Sequence, residues 1–306
     1  MQASGRNLAA EQAASPKPRA GQPDWARDGW DWPNRGASRF VHVAGQRWHV
    51  QIAGDGPVLL LLHGTGAATH SWRDMLPRLA QHFTVVAPDL PGHGFTSRPA
   101  DGDMSLPGMA RGVAGLLAAL GMAVDFAAGH SAGVAILVRM CLDGMIAPGC
   151  VVSLNGAMLP YGGAASALFA PLARGIARNP LLPVLFAWRA ADTKVVERLL
   201  RATGSALDPI GLKFYARLAR HSAHTGAALA MMGNWELTSL VAALPTLPTR
   251  LVLVVGENDR SIPPGDAKKL QAILPTAEII SLPGLGHLAH EEKPVAFSDL
   301  IREHCR

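Results

Sequence analysis

An α/β fold with a doubly wound, mostly parallel sheet is predicted for this 306-residue chain by three observations. Short runs of consecutive apolar residues alternate with longer segments of helical periodicity. A G-x-S-x-G pentapeptide, Gly129-His130-Ser131-Ala132-Gly133, stands between one such run and an almost wholly apolar helical segment, residues 134–142. After the sixth run the alternation stops for almost a hundred residues and then resumes. Runs that are apolar on consecutive residues suit strands covered by helices on both faces.

The elements follow in order. Residues 1–22 are rich in Ala, Ser, Pro and Gly without periodicity, which predicts a mobile tail. Trp25, Trp30 and Trp32 then place three of the seven tryptophans within eight residues, too much apolar area to leave in water without a reason. Two readings stand: the rings pin the N-terminal segment, residues 1–39, onto the body, or they meet a partner or membrane. Residues 40–43 and 48–52, separated by a turn at Gly45, read as an edge hairpin. The runs 58–62, 84–87, 124–128, 151–154, 251–255 and 278–282 complete eight strands. Residues 40–156 and 245–306 therefore form the core, and residues 157–244 read as a helical lid inserted after the sixth strand, with helices broken at Pro171, Pro180, Pro183 and Pro209. Ligands bind at the C-terminal ends of strands in such sheets, so the insertion is expected to cover the site.

Composition excludes several classes of function. No apolar run reaches the roughly 18 residues of a spanning helix. The N-terminus lacks the continuous apolar core of a secretory signal, so a cytoplasmic protein is expected. Cys141, Cys150 and Cys305 are odd in number and have no C-x-x-C spacing, which argues against a disulfide framework or zinc knuckle. The net charge of +5 comes with no basic block of the nucleic-acid-binding kind, so no nucleic acid partner is expected.

The chemistry follows from the strand ends. A serine hydroxyl is too weak an acid to attack unaided; it needs a base within hydrogen-bond reach and a third group to orient that base. Ser131, at a strand-to-helix turn, is the candidate nucleophile. Asp259 follows the strand 251–255, and His287 follows the strand ending near residue 282. The order Ser131, Asp259, His287 is the one expected for a nucleophile-elbow hydrolase. Backbone N–H groups of Thr65, in the loop His63-Gly64-Thr65-Gly66, and of Ala132 are the candidate oxyanion donors. No cofactor or metal is expected.

Other polar residues have plainer readings. His63 and His130 are expected to be structural, and Asp89 to close hydrogen bonds within its own turn. His287, His290 and Glu291 have ligand-like spacing, but the neighbouring glycines and Pro294 argue against the long helix a metal site would need. Asn155, at the end of the sixth strand, is a neutral amide and cannot stabilise an imidazolium as Asp259 can.

These motifs, from residue 58 to His287, resemble those of the α/β-hydrolase superfamily, which implies that fold and a serine hydrolase of esterase type. A dehalogenase or epoxide hydrolase would carry an aspartate at Ser131. Segments Asp31-Trp32-Pro33-Asn34-Arg35, Gly66-Ala67-Ala68-Thr69-His70-Ser71-Trp72, Leu154-Asn155-Gly156-Ala157 and Met231-Met232-Gly233-Asn234-Trp235 resemble the magnesium-chelatase accessory family of bacteriochlorophyll biosynthesis. This resemblance implies a role near magnesium insertion into protoporphyrin IX, either as a catalyst or as a non-catalytic scaffold that binds porphyrin or the chelatase.

The insertion adds its own evidence. Residues 160–240 hold nine basic residues (Arg174, Arg178, Arg189, Lys194, Arg198, Arg201, Lys213, Arg217, Arg220) against four acidic ones, a surplus equal to that of the whole chain. With Phe169, Phe186, Trp188, Phe214, Tyr215, Met231, Met232 and Trp235, the mixture suits a porphyrin-like substrate, an anionic apolar ester, or the surface of the photosynthetic membrane. It equally suits an ordinary helical lid whose aromatics are its own core.

Overall fold

The computed structural model describes residues 21–160, 179 and 181–306. The expected tail to residue 20, and Phe169, Pro171, Arg174, Arg178 and Pro180 of the insertion, lie outside the described residues.

Eight strands form one sheet in the order β1-β2-β4-β3-β5-β6-β7-β8. They are β1 Ser38–Val43, β2 Gln46–Ala53, β3 Val58–Leu62, β4 Thr84–Pro88, β5 Phe126–His130, β6 Cys150–Leu154, β7 Arg250–Gly256 and β8 Glu278–Leu282. Strand β2 is antiparallel to β1 and β4; every other pairing is parallel.

The consecutive apolar runs exist because both faces of the sheet are covered. Leu60, Leu62, Val151, Leu251 and Leu253 face a core built with α3 (Leu106–Leu120), α4 (Ala132–Leu142) and α10 (Gly265–Ile273). Their neighbours Leu59, Leu61, Val152, Val252 and Val254 face a second core with α2 (Leu76–Leu79), α11 (Ala289–Glu292) and α12 (Pro294–His304). Side chains alternate across a strand, so a strand buried on both faces needs apolar residues at every position.

The fifth strand is displaced from its expected span of 124–128. The Asp125 carboxylate accepts a hydrogen bond from the Val58 N–H at 2.7 Å at the strand's base, and pairing with β6 continues up to His130 opposite Leu154. The strand therefore ends directly at Ser131.

Between β6 and β7 lie α5 (Leu181–Arg189), α6 (Thr193–Ala202), α7 (Pro209–Ala219), α8 (Ser222–Gly233) and α9 (Thr238–Ala243). Pro183 and Pro209 do not break helices as expected. Each sits in a first turn, where the missing N–H would have had no intrahelical acceptor.

The tryptophan segment is a strap between body and insertion. The Trp32 ring is buried between Phe95 of the body and Phe214 of α7, and its Nε1–H donates to Thr69 Oγ1 at 2.9 Å. Trp25, in the short helix α1 (Trp25–Asp28), packs edge-on against Phe40 and Phe95. Asp31 takes ion pairs from Lys213 and Arg217 of α7. Trp30 departs from the expectation that all three rings pack inward: it is 66% exposed, because it lies on the outer side of the strap beneath Lys213.

Candidate active site

The G-x-S-x-G turn acquires its shape from close backbone approach. Ser131 has φ 50° and ψ −119°, a left-handed conformation that a non-glycine residue adopts only under constraint. The constraint is packing: a Cβ on Gly133 would stand 2.2 Å from the Leu62 carbonyl oxygen, and one on Gly129 would stand 2.8 Å from the Val134 nitrogen. Only glycine lets the elbow seat itself between β3 and α4. The Ser131 N–H donates to the Leu154 carbonyl, and the Ser131 carbonyl accepts from the Ala157 N–H, so the turn is tied to the end of β6 on both sides.

The candidate acid and base meet. His287 Nδ1 and Asp259 Oδ2 are 2.7 Å apart, both residues buried. The other Asp259 oxygen accepts from the backbone N–H groups of Ser261 and Ile262, which fix the carboxylate plane. With a carboxylate at Nδ1, that nitrogen carries the proton and Nε2 presents its lone pair. Among the described residues neither Ser131 Oγ nor His287 Nε2 has a hydrogen-bond partner.

The two candidate oxyanion donors flank the serine. Ala132 is the first residue of α4, where a helix leaves its N–H groups without intrahelical acceptors. The loop holding Thr65 lies directly against the elbow, since a Cβ on Gly64 would stand 3.0 Å from Ser131 Cβ. Thr65 Oγ1 is 3.5 Å from the sulfur of Met231 on α8, which brings the insertion to the same spot.

Three further groups hold the loop of His287. Asn155, buried and at φ 47°, accepts from the Gly256 N–H and donates to the carbonyls of Gly286 and His287. It thereby joins the ends of β6 and β7 to the histidine loop. His130 Nε2–H also donates to the His287 carbonyl, at 2.9 Å, and burial lowers the His130 pKa well below the ordinary value, so the ring is neutral. Thr203, Gly204 and Ser205, after α6, close the loops of Asp259 and His287 from above. The Thr203 carbonyl accepts from the N–H of Arg260 and of His287, and Ser205 Oγ accepts from the Leu288 N–H. Gly204 is pressed against the acid's loop, where a Cβ would stand 2.0 Å from the Asn258 carbonyl oxygen.

The remaining histidines and acids are engaged elsewhere. His63 donates from Nδ1 to the Gly64 carbonyl and accepts the Leu90 N–H at Nε2, which shapes the loop of Thr65 from below. Asp89 reaches beyond its own turn: it accepts from the N–H of Phe95 and of Thr69 and pairs with His49. Burial alone would raise its pKa, but the charge and hydrogen bond of His49 hold it below the usual carboxylate range. His224 of α8 accepts the Gly94 N–H at Nδ1 and donates from Nε2 to the Gly66 carbonyl; burial lowers its pKa to about 4. His290 and Glu291 join a buried network with Ser71, Arg73 and Tyr215. Among the described residues no cluster of three or more His, Cys, Asp or Glu side chains could hold a metal ion.

The fold and the strained serine at its strand-to-helix turn define a class: the chain belongs to the α/β-hydrolase family, whose model matches residues 59–300. It is similar to the magnesium-chelatase 30 kDa subunit of Rhodobacter capsulatus, 36% identical over 89% of this chain and 95% of that protein. It is also similar to the 2-hydroxy-6-oxo-6-phenylhexa-2,4-dienoate hydrolase of Burkholderia cepacia, 26% identical over 86% of this chain and 94% of that protein. Among solved structures, an α/β-hydrolase fold protein from Burkholderia ambifaria superposes with a TM-score of 0.73 at 23% identity, covering 87% of this chain and 97% of that one.

Proposed function

We propose that this chain is an esterase-like serine hydrolase acting near magnesium insertion into protoporphyrin IX, with Ser131 as nucleophile, His287 as general base and Asp259 as its orienting acid. The observation that carries this reading is the 2.7 Å contact between His287 Nδ1 and Asp259 Oδ2, in a loop whose His287 carbonyl is held by His130, the residue before Ser131.

In this mechanism Ser131 Oγ attacks the ester carbonyl carbon while its proton passes to His287 Nε2. Asp259 stabilises the resulting imidazolium through Nδ1–H. The carbonyl oxygen, now negative, accepts from the N–H groups of Thr65 and Ala132. The tetrahedral adduct collapses, the C–O bond to the alcohol breaks, and the alcohol leaves with the proton from Nε2. Water, deprotonated by the same nitrogen, then attacks the acyl carbon, the bond to Ser131 Oγ breaks, Oγ takes the proton back from Nε2, and the acid leaves. Asn155, His130 and Thr203 hold the histidine loop at the height this exchange requires. The helices between β6 and β7 act as the lid. Their cations and apolar residues favour a porphyrin-like or otherwise anionic apolar ester in a cytoplasmic protein.

A second reading, a non-catalytic scaffold that binds porphyrin or magnesium chelatase, is favoured by one observation: the Rhodobacter capsulatus relative is named as a chelatase subunit. Complementation separates the two. In a phototroph lacking this chain, Ser131→Ala fails to restore bacteriochlorophyll if the role is catalytic, provided the protein is present and folded. Full restoration of pigment supports the scaffold instead.

A further inference from the structure

Helix α5 (Leu181–Arg189) is apolar on the side that faces away from the other described residues. Leu181, Val184, Leu185 and Trp188 are 72%, 55%, 53% and 68% exposed. Their spacing of i, i+3, i+4 and i+7 puts all four on one stripe of the helix. That is the pattern by which a helix normally buries itself, here turned outward. The inward side is already satisfied by small contacts: Ala187 is buried, and Pro183 lies so close to α8 that a Cβ on Gly226 would stand 3.2 Å from its ring. A contiguous outward stripe of this kind marks a surface that meets something apolar.

The charges beside it indicate what. Residues 181–220 carry seven basic and three acidic side chains. Arg201 is paired with Glu197, and Lys213 and Arg217 with Asp31. Arg189, Lys194, Arg198 and Arg220 have no acidic partner among the described residues, and Asp192 is occupied in capping α6. Arg189 immediately follows Trp188, and Arg220 reaches the Ala191 carbonyl, so two of these cations gather at the C-terminal end of the stripe.

We propose that α5 docks the protein on an anionic lipid bilayer, its stripe lying in the headgroup region and the cations of the insertion meeting lipid phosphates. An apolar stripe flanked by Lys and Arg, with a tryptophan at its edge, is the arrangement by which a helix lies in a membrane interface. Nine residues make a helix about 13 Å long, too short to span, and no single helix among the described residues is long and apolar enough to cross. The docking stands whether or not Ser131 is catalytic. On its inner side α5 packs on α8, the helix that carries Met231 to Thr65.

Co-sedimentation of the full chain with vesicles tests this. Wild type is expected in the pellet with equimolar phosphatidylcholine and phosphatidylglycerol, to bind phosphatidylcholine alone roughly tenfold more weakly, and to be released in part by salt. The triple variant Leu181→Gln, Leu185→Gln, Trp188→Gln should lose roughly tenfold or more of the binding with its melting temperature unchanged. If that variant does not fold, Trp188→Gln and Arg189→Glu singly should each weaken binding. Absence of wild type from the anionic pellet, or equal pelleting of wild type and folded variants, overturns the proposal. A wild-type dimer that the triple variant dissolves, with no vesicle binding, would overturn it too and assign the stripe to a second copy of the chain.

Discussion

Asn155 Nδ2 donates to the carbonyl oxygen of His287 at 2.8 Å, across 132 residues of sequence. The same amide donates to Gly286 and accepts from Gly256, so one side chain fixes the loop of the candidate base to the strand that leads to the candidate acid. An acid at this position would have no proton to donate when ionised and would face two carbonyl dipoles.

Asn155→Asp is therefore expected to be worse than its size suggests. The His287 carbonyl keeps the His130 N–H, but the buried Gly286 carbonyl loses its donor at about 1–3 kcal/mol, so the melting temperature should fall by several degrees. Ester turnover should fall with it, in kcat more than in KM, because the loop that carries the candidate base loses one of its anchors. Melting curves and steady-state kinetics on a small soluble ester check both. A variant as stable and active as wild type would show that the loop is held by other contacts.

Stability should fall in acid through His224. Its Nδ1 must be unprotonated to accept the Gly94 N–H while Nε2–H holds the Gly66 carbonyl. Burial lowers its pKa to about 4 against 6.5 for an unperturbed histidine, so protonation favours the unfolded chain. The contribution is complete above pH 6.5 and is lost as pH falls toward 4, on the order of 3 kcal/mol. Other buried histidines act in the same direction, so the difference between wild type and His224→Gln isolates this one. Urea unfolding at pH 7, 6 and 5 should give the variant a shallower slope by about one proton. Parallel profiles would contradict the assignment.

The strap predicts unequal tryptophans. Trp32→Ala empties a buried site between body and α7 and should cost about 3–5 kcal/mol. Trp30→Ala removes a largely exposed ring and should stay within about 0.5 kcal/mol. Thermal melts of the two variants decide it; equal effects would mean that the strap does not join insertion and body.

The sheet is legible in the sequence because both of its faces are buried, which writes Leu59 to Leu62 and Val252 to Val254 as unbroken apolar runs. The limits of β5 are not. Hydrophobicity cannot indicate that Asp125 is engaged by the Val58 N–H or that pairing carries on through Gly129 and His130. Of the candidate site, Ser131, Asp259 and His287 can be picked out because each stands at the end of a strand in a short motif. The hydrogen bonds made by Asn155 and by Thr203 to Ser205 cannot, since they depend on partners far away in sequence. The same applies to α5: its apolar spacing is readable, but only packing against α8 decides which side faces out.

The central claim, that Ser131 is a nucleophile activated by His287, is tested most directly by covalent labelling with a fluorophosphonate, read by mass spectrometry of the modified peptide. Wild type should acquire one adduct on Ser131, Ser131→Ala none, and His287→Ala should react slower by orders of magnitude, because the hydroxyl then keeps its proton. Labelling of Ser131→Ala at the wild-type rate, or no labelling of the folded wild type, would contradict it.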